Sequence, residues 1–105
     1  MTTNRNALPN RRLNETFEIR HGGKNTAFQI TIGRYGGLDS PIGEVFIAGA
    51  KAGSEVDAVA RDGAILLSLC MQHGVPLETI KHAMTRERDG SASTIVGAVV
   101  DRLCP

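Results

Sequence analysis

The sequence contains no run near the roughly 20 consecutive apolar residues that cross a bilayer, no apolar stretch behind its N-terminal arginines, and no excess of charge of either sign. The first absence removes a membrane-spanning helix. The second removes a secretory signal, because the opening MTTNRNALPNRRL has arginines but no hydrophobic region. The third, 12 Lys+Arg against 11 Asp+Glu, leaves no broad electrostatic footprint for nucleic acid. Cysteine is sparse as well. Cys70 sits inside an apolar run and Cys104 beside the C-terminus, which is no disulfide framework. The expectation is a cytoplasmic protein without membrane attachment, for which nucleic acid is the least favoured partner and rests only on Arg5, Arg11 and Arg12.

What is present fits one folded unit. A chain of 105 residues, 41% of them hydrophobic and 22% charged, is long enough for one domain with a core and too short for two. Residues 1–13 are polar and aperiodic, and read as a mobile arm ahead of a single domain over 14–105. Strict alternation begins at Glu15, with Phe17 and Ile19 opposite Thr16, Glu18 and Arg20. After HGGKN it resumes with Phe28, Ile30 and Ile32, which predicts a hairpin. Beyond a second glycine cluster, Val45 and Ile47 alternate with Glu44 and Phe46 as a third strand. The three strands are expected at about 15–20, 26–33 and 43–48, antiparallel, with one apolar face that needs a cover.

Helices supply the cover. From about 54 to 73 the positions Val56, Val59, Ala60, Gly63, Leu66, Leu67 and Cys70 recur at helical spacing, and the second half, AILLSLCM, is apolar nearly all round. Such a helix calls for burial on more than one side, by other helices or by a partner. QHGVP then forms a stop, with Gly74 in the left-handed conformation and Pro76 blocking continuation. A second helix is expected at about 77–84, burying Leu77, Ile80 and Met84. A charged loop with an Asp-Gly turn follows, and a last helix at about 94–103, with Ser93 as its N-cap and Val96, Val99, Val100 and Leu103 inward. The fold class is α+β, with the helices packed on one face of the sheet.

The glycine-rich loop GAKAGS between strand and helix invites a phosphate-binding reading. Its details favour a structural one. A phosphate loop places Gly-Lys-Ser/Thr four residues after its first glycine, whereas here Lys51 precedes Gly53. Glu55 and Asp57 in the first turn already complement the helix dipole, and Ser54 with Asp57 resembles a capping pair. Lys51 is left as a contact for an acidic partner. Cys70, His73, His82 and Cys104 match no compact zinc module, and nothing activates Cys70 as a nucleophile. The residues offer no catalytic set and no metal site.

Several segments together carry a family likeness: Glu44, Phe46 and Ile47; Lys51, Gly53 and Ser54; Ser68 and Leu69; then Gln72, Gly74, Val75, Pro76, Leu77 and Glu78. In this combination the chain resembles the TSCPD domain, the C-terminal region of adenosylcobalamin-dependent (class II) ribonucleotide reductases. It is also similar to short stand-alone bacterial proteins with Asn10 to Arg12 and Glu15 to Glu18 near their start. The Thr-Ser-Cys-Pro-Asp signature itself is missing near the last helix, and Cys104 is single where such reductases use a cysteine pair.

The resemblance implies a link to DNA precursor synthesis but not the reaction itself. In the full-length enzymes the radical barrel, catalytic cysteines and cobalamin site lie in hundreds of residues that this sequence lacks, so a reductase activity assigned by similarity is not expected of it. No cofactor is expected in this chain, adenosylcobalamin belonging to the full-length enzymes. The expected role is a non-catalytic accessory or regulatory module that docks on a ribonucleotide reductase or another protein. Ligand- or partner-binding candidates are Lys51, Gly53 and Ser54 in the loop, Arg61 on the helix, and Gln72, Gly74 and Glu78 at the corner. The alternatives are a module binding a small ligand or nucleotide through the same loop and Arg61, or a self-associating homo-oligomer, suggested by the apolar helix and open sheet edges.

Overall fold

The computed structural model of the protein describes residues 4–49 and 51–105; residues 1–3 of the expected arm and Ala50 of the glycine loop lie outside them. Three strands, β1 (Asn14–His21), β2 (Thr26–Arg34) and β3 (Ile42–Ala48), form one sheet in the order β1-β2-β3. Both pairings are antiparallel. The register aligns Phe17, Ile30 and Ile47 in one row across the sheet, and sets Ile19 opposite Phe28 and Ile32 opposite Val45. Because side chains alternate along a strand, these residues share one face. Phe28, Ile30, Ile32, Val45 and Ile47 are buried there, with Phe17 and Ile19 partly so. The α+β class and the antiparallel sheet are those expected.

Three helices close that face: α1 (Glu55–Gln72), α2 (Leu77–Ala83) and α3 (Ile95–Leu103). Ile95, Val99 and Val100 of α3 complete the core beside Ala60, Ala64 and Leu67 of α1. The α1 contribution corrects the expected stripe. Val56, Val59 and Leu66 are more than half exposed, and the buried line runs instead through small residues. Ala60 and Ala64 let the helix backbone lie close along β3, so only a narrow strip is covered and the larger side chains point away from the sheet. The α3 cap is also corrected by one position. Thr94 Oγ1 accepts from the Gly97 amide at 3.0 Å, while Ser93 donates its hydroxyl to Glu87.

The ends of α1 follow the sequence closely. Ser54 Oγ accepts from the Asp57 amide at 3.1 Å, but Asp57 does not reciprocate, because its carboxylate pairs with Arg61 at 3.4 Å. At the other end Gly74 takes φ +85°, with its amide donating to Met71 and the Val75 amide to Cys70, each at 3.0 Å. That paired 5→2 and 6→1 pattern is the Schellman motif, and it turns the chain into α2.

Arg86 organises the loop before α3. Its guanidinium forks onto the Asp101 carboxylate at 2.7 and 2.8 Å and donates to the carbonyls of Lys81 and Gly90, tying α2, loop and α3 together. This hydrogen-bonded pairing holds the Asp101 carboxyl below its ordinary value. Residues 4–13 also make contacts. Asn6 donates its amide to Gln72 O at 2.8 Å, Leu13 accepts from Arg34 N at 3.0 Å, and Arg12 pairs with Glu44.

Candidate functional site

An edge strand exposes a row of backbone donors and acceptors, and the way β3 handles this row defines the candidate site. The α1 helix runs antiparallel to β3 along that edge. Ser68 Oγ accepts from Val45 N at 2.9 Å, and its one proton is shared between Ala64 O of its own helix at 2.8 Å and Val45 O at 3.3 Å. One turn on, Gln72 Nε2 donates to Gly43 O at 2.8 Å. Two side chains at i and i+4 thus replace the strand that would otherwise pair there. Backbone direction alternates along a strand, so Ile47 N–H and C=O point the same way as those of Val45. Among the described residues neither has a partner.

The helix residue facing Ile47 is Ala64, too small to fill the space. A groove of about 490 Å³ opens there between the β3 edge and α1. Val45, Phe46, Ile47 and Ala48 line it from the strand, and Ala64, Ile65, Ser68 and Leu69 from the helix. Phe46 is 55% exposed and Ile65 56%. Leu66, at 64%, extends the apolar surface along α1. Arg5 lines one end, near Gln72, and Arg61 the other. The remaining charged group, Glu44, is nearly buried and engaged by Arg12.

The sequence candidates fall into two places. Lys51, Gly53 and Ser54 lie at the N-terminal end of α1, while Gln72, Gly74 and Glu78 lie at its C-terminal corner. Between the two runs the 18-residue helix, about 27 Å at 1.5 Å per residue. They form no single site. Lys51 is exposed; the Ser54 hydroxyl is spent on its cap. Gln72 is only 5% exposed, and its side chain serves the β3 edge and Arg5. Gly74 is consumed by the Schellman turn, and Glu78 is exposed beside His82 at 3.8 Å. Arg61 and Gln72 line the groove; Gln72 is spent as described, and Arg61, paired with Asp57 at 3.4 Å, keeps further guanidinium donors for a ligand. Cys70 and Cys104 are both half-buried and free, and His73 Nδ1 is bonded to Leu69 O.

Sequence reasoning missed the groove. Phe46 was legible as an outer-face residue by alternation, and the all-round apolar half of α1 was visible. The open edge at Ile47 was not, because it depends on the spacing of Ser68 and Gln72 against the register of β3. A second cleft, about 460 Å³, lies between the β1–β2 turn and the starts of α1 and α3, with Val56, Val59 and Val96 on its walls and His21 and Lys24 at its rim.

The TSCPD domain matches residues 2–104. The chain belongs to the TSCPD domain family. It does so without the Thr-Ser-Cys-Pro-Asp signature near α3. This TSCPD protein is also similar to the vitamin B12-dependent ribonucleotide reductase of Agrobacterium fabrum, at 37% identity over 93 residues. Those residues are 89% of this chain and 7% of the reductase. The chain therefore spans less than a tenth of this curated relative. No solved structure matches it significantly.

Proposed function

We propose that this TSCPD protein is a non-catalytic accessory or regulatory module that docks on a larger protein, with a ribonucleotide reductase as the partner class. The observation that carries the reading is the outer face of α1, where Ile65, Leu66 and Leu69 stand exposed, Ile65 and Leu69 lining the groove together with Phe46. Contiguous apolar surface of this kind on a small domain marks an interaction face. The partner class comes from the similarity to a B12-dependent ribonucleotide reductase, in which the corresponding segment is a small part of a long chain. Adenosylcobalamin and the reduction chemistry are assigned to that larger partner.

The test uses the Agrobacterium fabrum reductase with its aligned 93-residue segment deleted. Saturable binding of the purified chain, with a change in ribonucleotide reduction on its addition, is the expected result. Reduction by the chain alone with adenosylcobalamin and a thiol reductant would overturn the non-catalytic part. Failure to bind would overturn the choice of partner. Self-association is a second reading, favoured by the same α1 face, and light scattering showing a monomer disposes of it. The nucleotide reading has less support, since Ser54 is spent as a cap and Arg61 lies about two turns further along α1.

A further inference from the structure

We propose that the groove beside β3 receives one extended peptide segment of a partner, about five residues long, apolar in its middle and carrying a carboxylate at each end. The inference deepens the docking reading above and rests on it. Among the described residues the backbone N–H and C=O of Ile47 have no partner at this stretch of the β3 edge, the arrangement by which an added strand gains main-chain hydrogen bonds. Ser68 and Gln72 close the edge at Val45 and Gly43, so main-chain pairing is confined to Ile47 and side chains must supply the rest.

The walls set the composition of the segment. A strand laid beside β3 turns alternate side chains toward α1 and toward the outer face of the sheet. Ile65 and Leu69 wait on the first side and Phe46 on the second, so both sets of side chains meet apolar surface. That calls for consecutive apolar residues rather than an alternating strand. Arg61 and Arg5 set the length and the ends. Arg5 is bonded to Gln72, eleven residues along α1 from Arg61, about 17 Å of helix. Five residues of extended chain at about 3.3 Å each cover the same span. Each guanidinium keeps donors beyond its present contact, with Gln72 for Arg5 and Asp57 for Arg61. The one acid lining the groove, Glu44, is occupied by Arg12, and Asp57, which pairs with Arg61, lies outside the lining, so Arg5 and Arg61 are the charges the groove presents. A cationic rim around an apolar floor discriminates between peptides chiefly by the sign of their end charges.

The probes are two blocked synthetic peptides, Glu-Val-Ile-Val-Glu and Lys-Val-Ile-Val-Lys, titrated into the full chain labelled with ¹⁵N. The acidic peptide is expected to shift the Ile47 and Ala48 amides and slow exchange of the Ile47 amide. It should bind at least about tenfold tighter than the basic one at low salt, with the advantage shrinking as salt screens it. Arg61→Glu should erase that preference, and Ile65→Glu, on the exposed face of α1, should remove binding while the chain stays folded. Equal binding of the two peptides, or shifts confined to residues away from β3, overturns the proposal. So does an Ile47 amide already protected in a concentration-dependent dimer without peptide, which would give the groove to a second copy. If the deleted reductase binds but neither peptide touches Ile47, the strand-addition site fails and the docking reading stands. The converse result spares the site and rejects that partner.

Discussion

Substituting Gln72 by alanine should be costly for a polar residue, because one buried side-chain amide ties α1 to both β3 and the N-terminal segment, while the backbone carbonyl that holds Asn6 is kept. Its Nε2 donates to Gly43 O at 2.8 Å, its Oε1 accepts from Arg5, and its own carbonyl holds Asn6. Losing the Nε2 bond forfeits about 0.5–1.5 kcal/mol net, and a Gly43 carbonyl left without a partner costs about 1–3 kcal/mol more. The middle of that combined range, about 3 kcal/mol, lowers the melting temperature of a domain this size by roughly 12 to 24 °C. Ser68→Ala orphans the Val45 amide on the same edge, but alanine is the better helix former by about 0.5 kcal/mol, so the net cost is about 1–2 kcal/mol. The double variant should fall short of the sum, since both residues secure one edge and its release is shared. Urea unfolding followed by circular dichroism gives all three numbers. Gln72→Glu separates the causes: it keeps an acceptor for Arg5 and loses the donor to Gly43. It should cost about as much as alanine. Single variants within about 0.5 kcal/mol of the parent, at unchanged m-value, would refute the reasoning and show that water satisfies the edge equally well.

Gly74→Ala places a Cβ on a residue at φ +85° and should cost about 1–2 kcal/mol, read in the same urea titration. Asp101→Asn removes a carboxylate that Arg86 holds below its ordinary value of 3.8. A depressed folded value means the stabilisation is present above the unfolded value and lost as pH falls through the folded one, so the gap in melting temperature between parent and variant should be full at pH 6 and shrink below about pH 4. Calorimetry at both pH values checks it; a gap that is constant with pH would remove Asp101 as the cause. Leu66→Ser, on the exposed face of α1, should change stability by no more than about 0.5 kcal/mol yet weaken docking on the deleted reductase, measured by calorimetric titration.

Most of the architecture was legible because its signals are local. The alternation around Phe17, Phe28 and Val45 fixed the strands and their inner face, and Gly74 with Pro76 fixed the stop after α1. Three features were not. The expected stripe on α1 included Val56, Val59 and Leu66, since hydrophobicity cannot tell a residue facing the sheet from one facing away when both sides of a helix are apolar. Thr94 was passed over for Ser93 because adjacent hydroxyl residues are equivalent caps in sequence. What distinguishes them is the fold: Thr94 Oγ1 accepts from the Gly97 amide, while Ser93 turns to Glu87. Gln72 was legible as a motif position but not as a buried one: its role depends on lying one turn after Ser68 on a helix that follows a strand edge, a relation between two elements far apart in the chain.

These features have a common origin in the closeness of α1 to β3. Ala60 and Ala64 bring the helix near enough for Ser68 and Gln72 to reach the strand's backbone, and a bulkier pair would push them out of hydrogen-bonding range. The same closeness narrows the buried strip, so the branched residues that a looser packing would draw inward stay outside. It also leaves the edge opposite Ala64 without a polar side chain, so that among the described residues the outward N–H and C=O of the buried Ile47 have no partner. Stability and exposed surface are therefore assigned to different sides of one helix. The inner line holds the domain together through small residues and two polar side chains, and the outer line of Val59, Ile65, Leu66 and Leu69 carries little of that load. A helix divided in this way lets the outer face change to suit a partner without unfolding the domain that presents it.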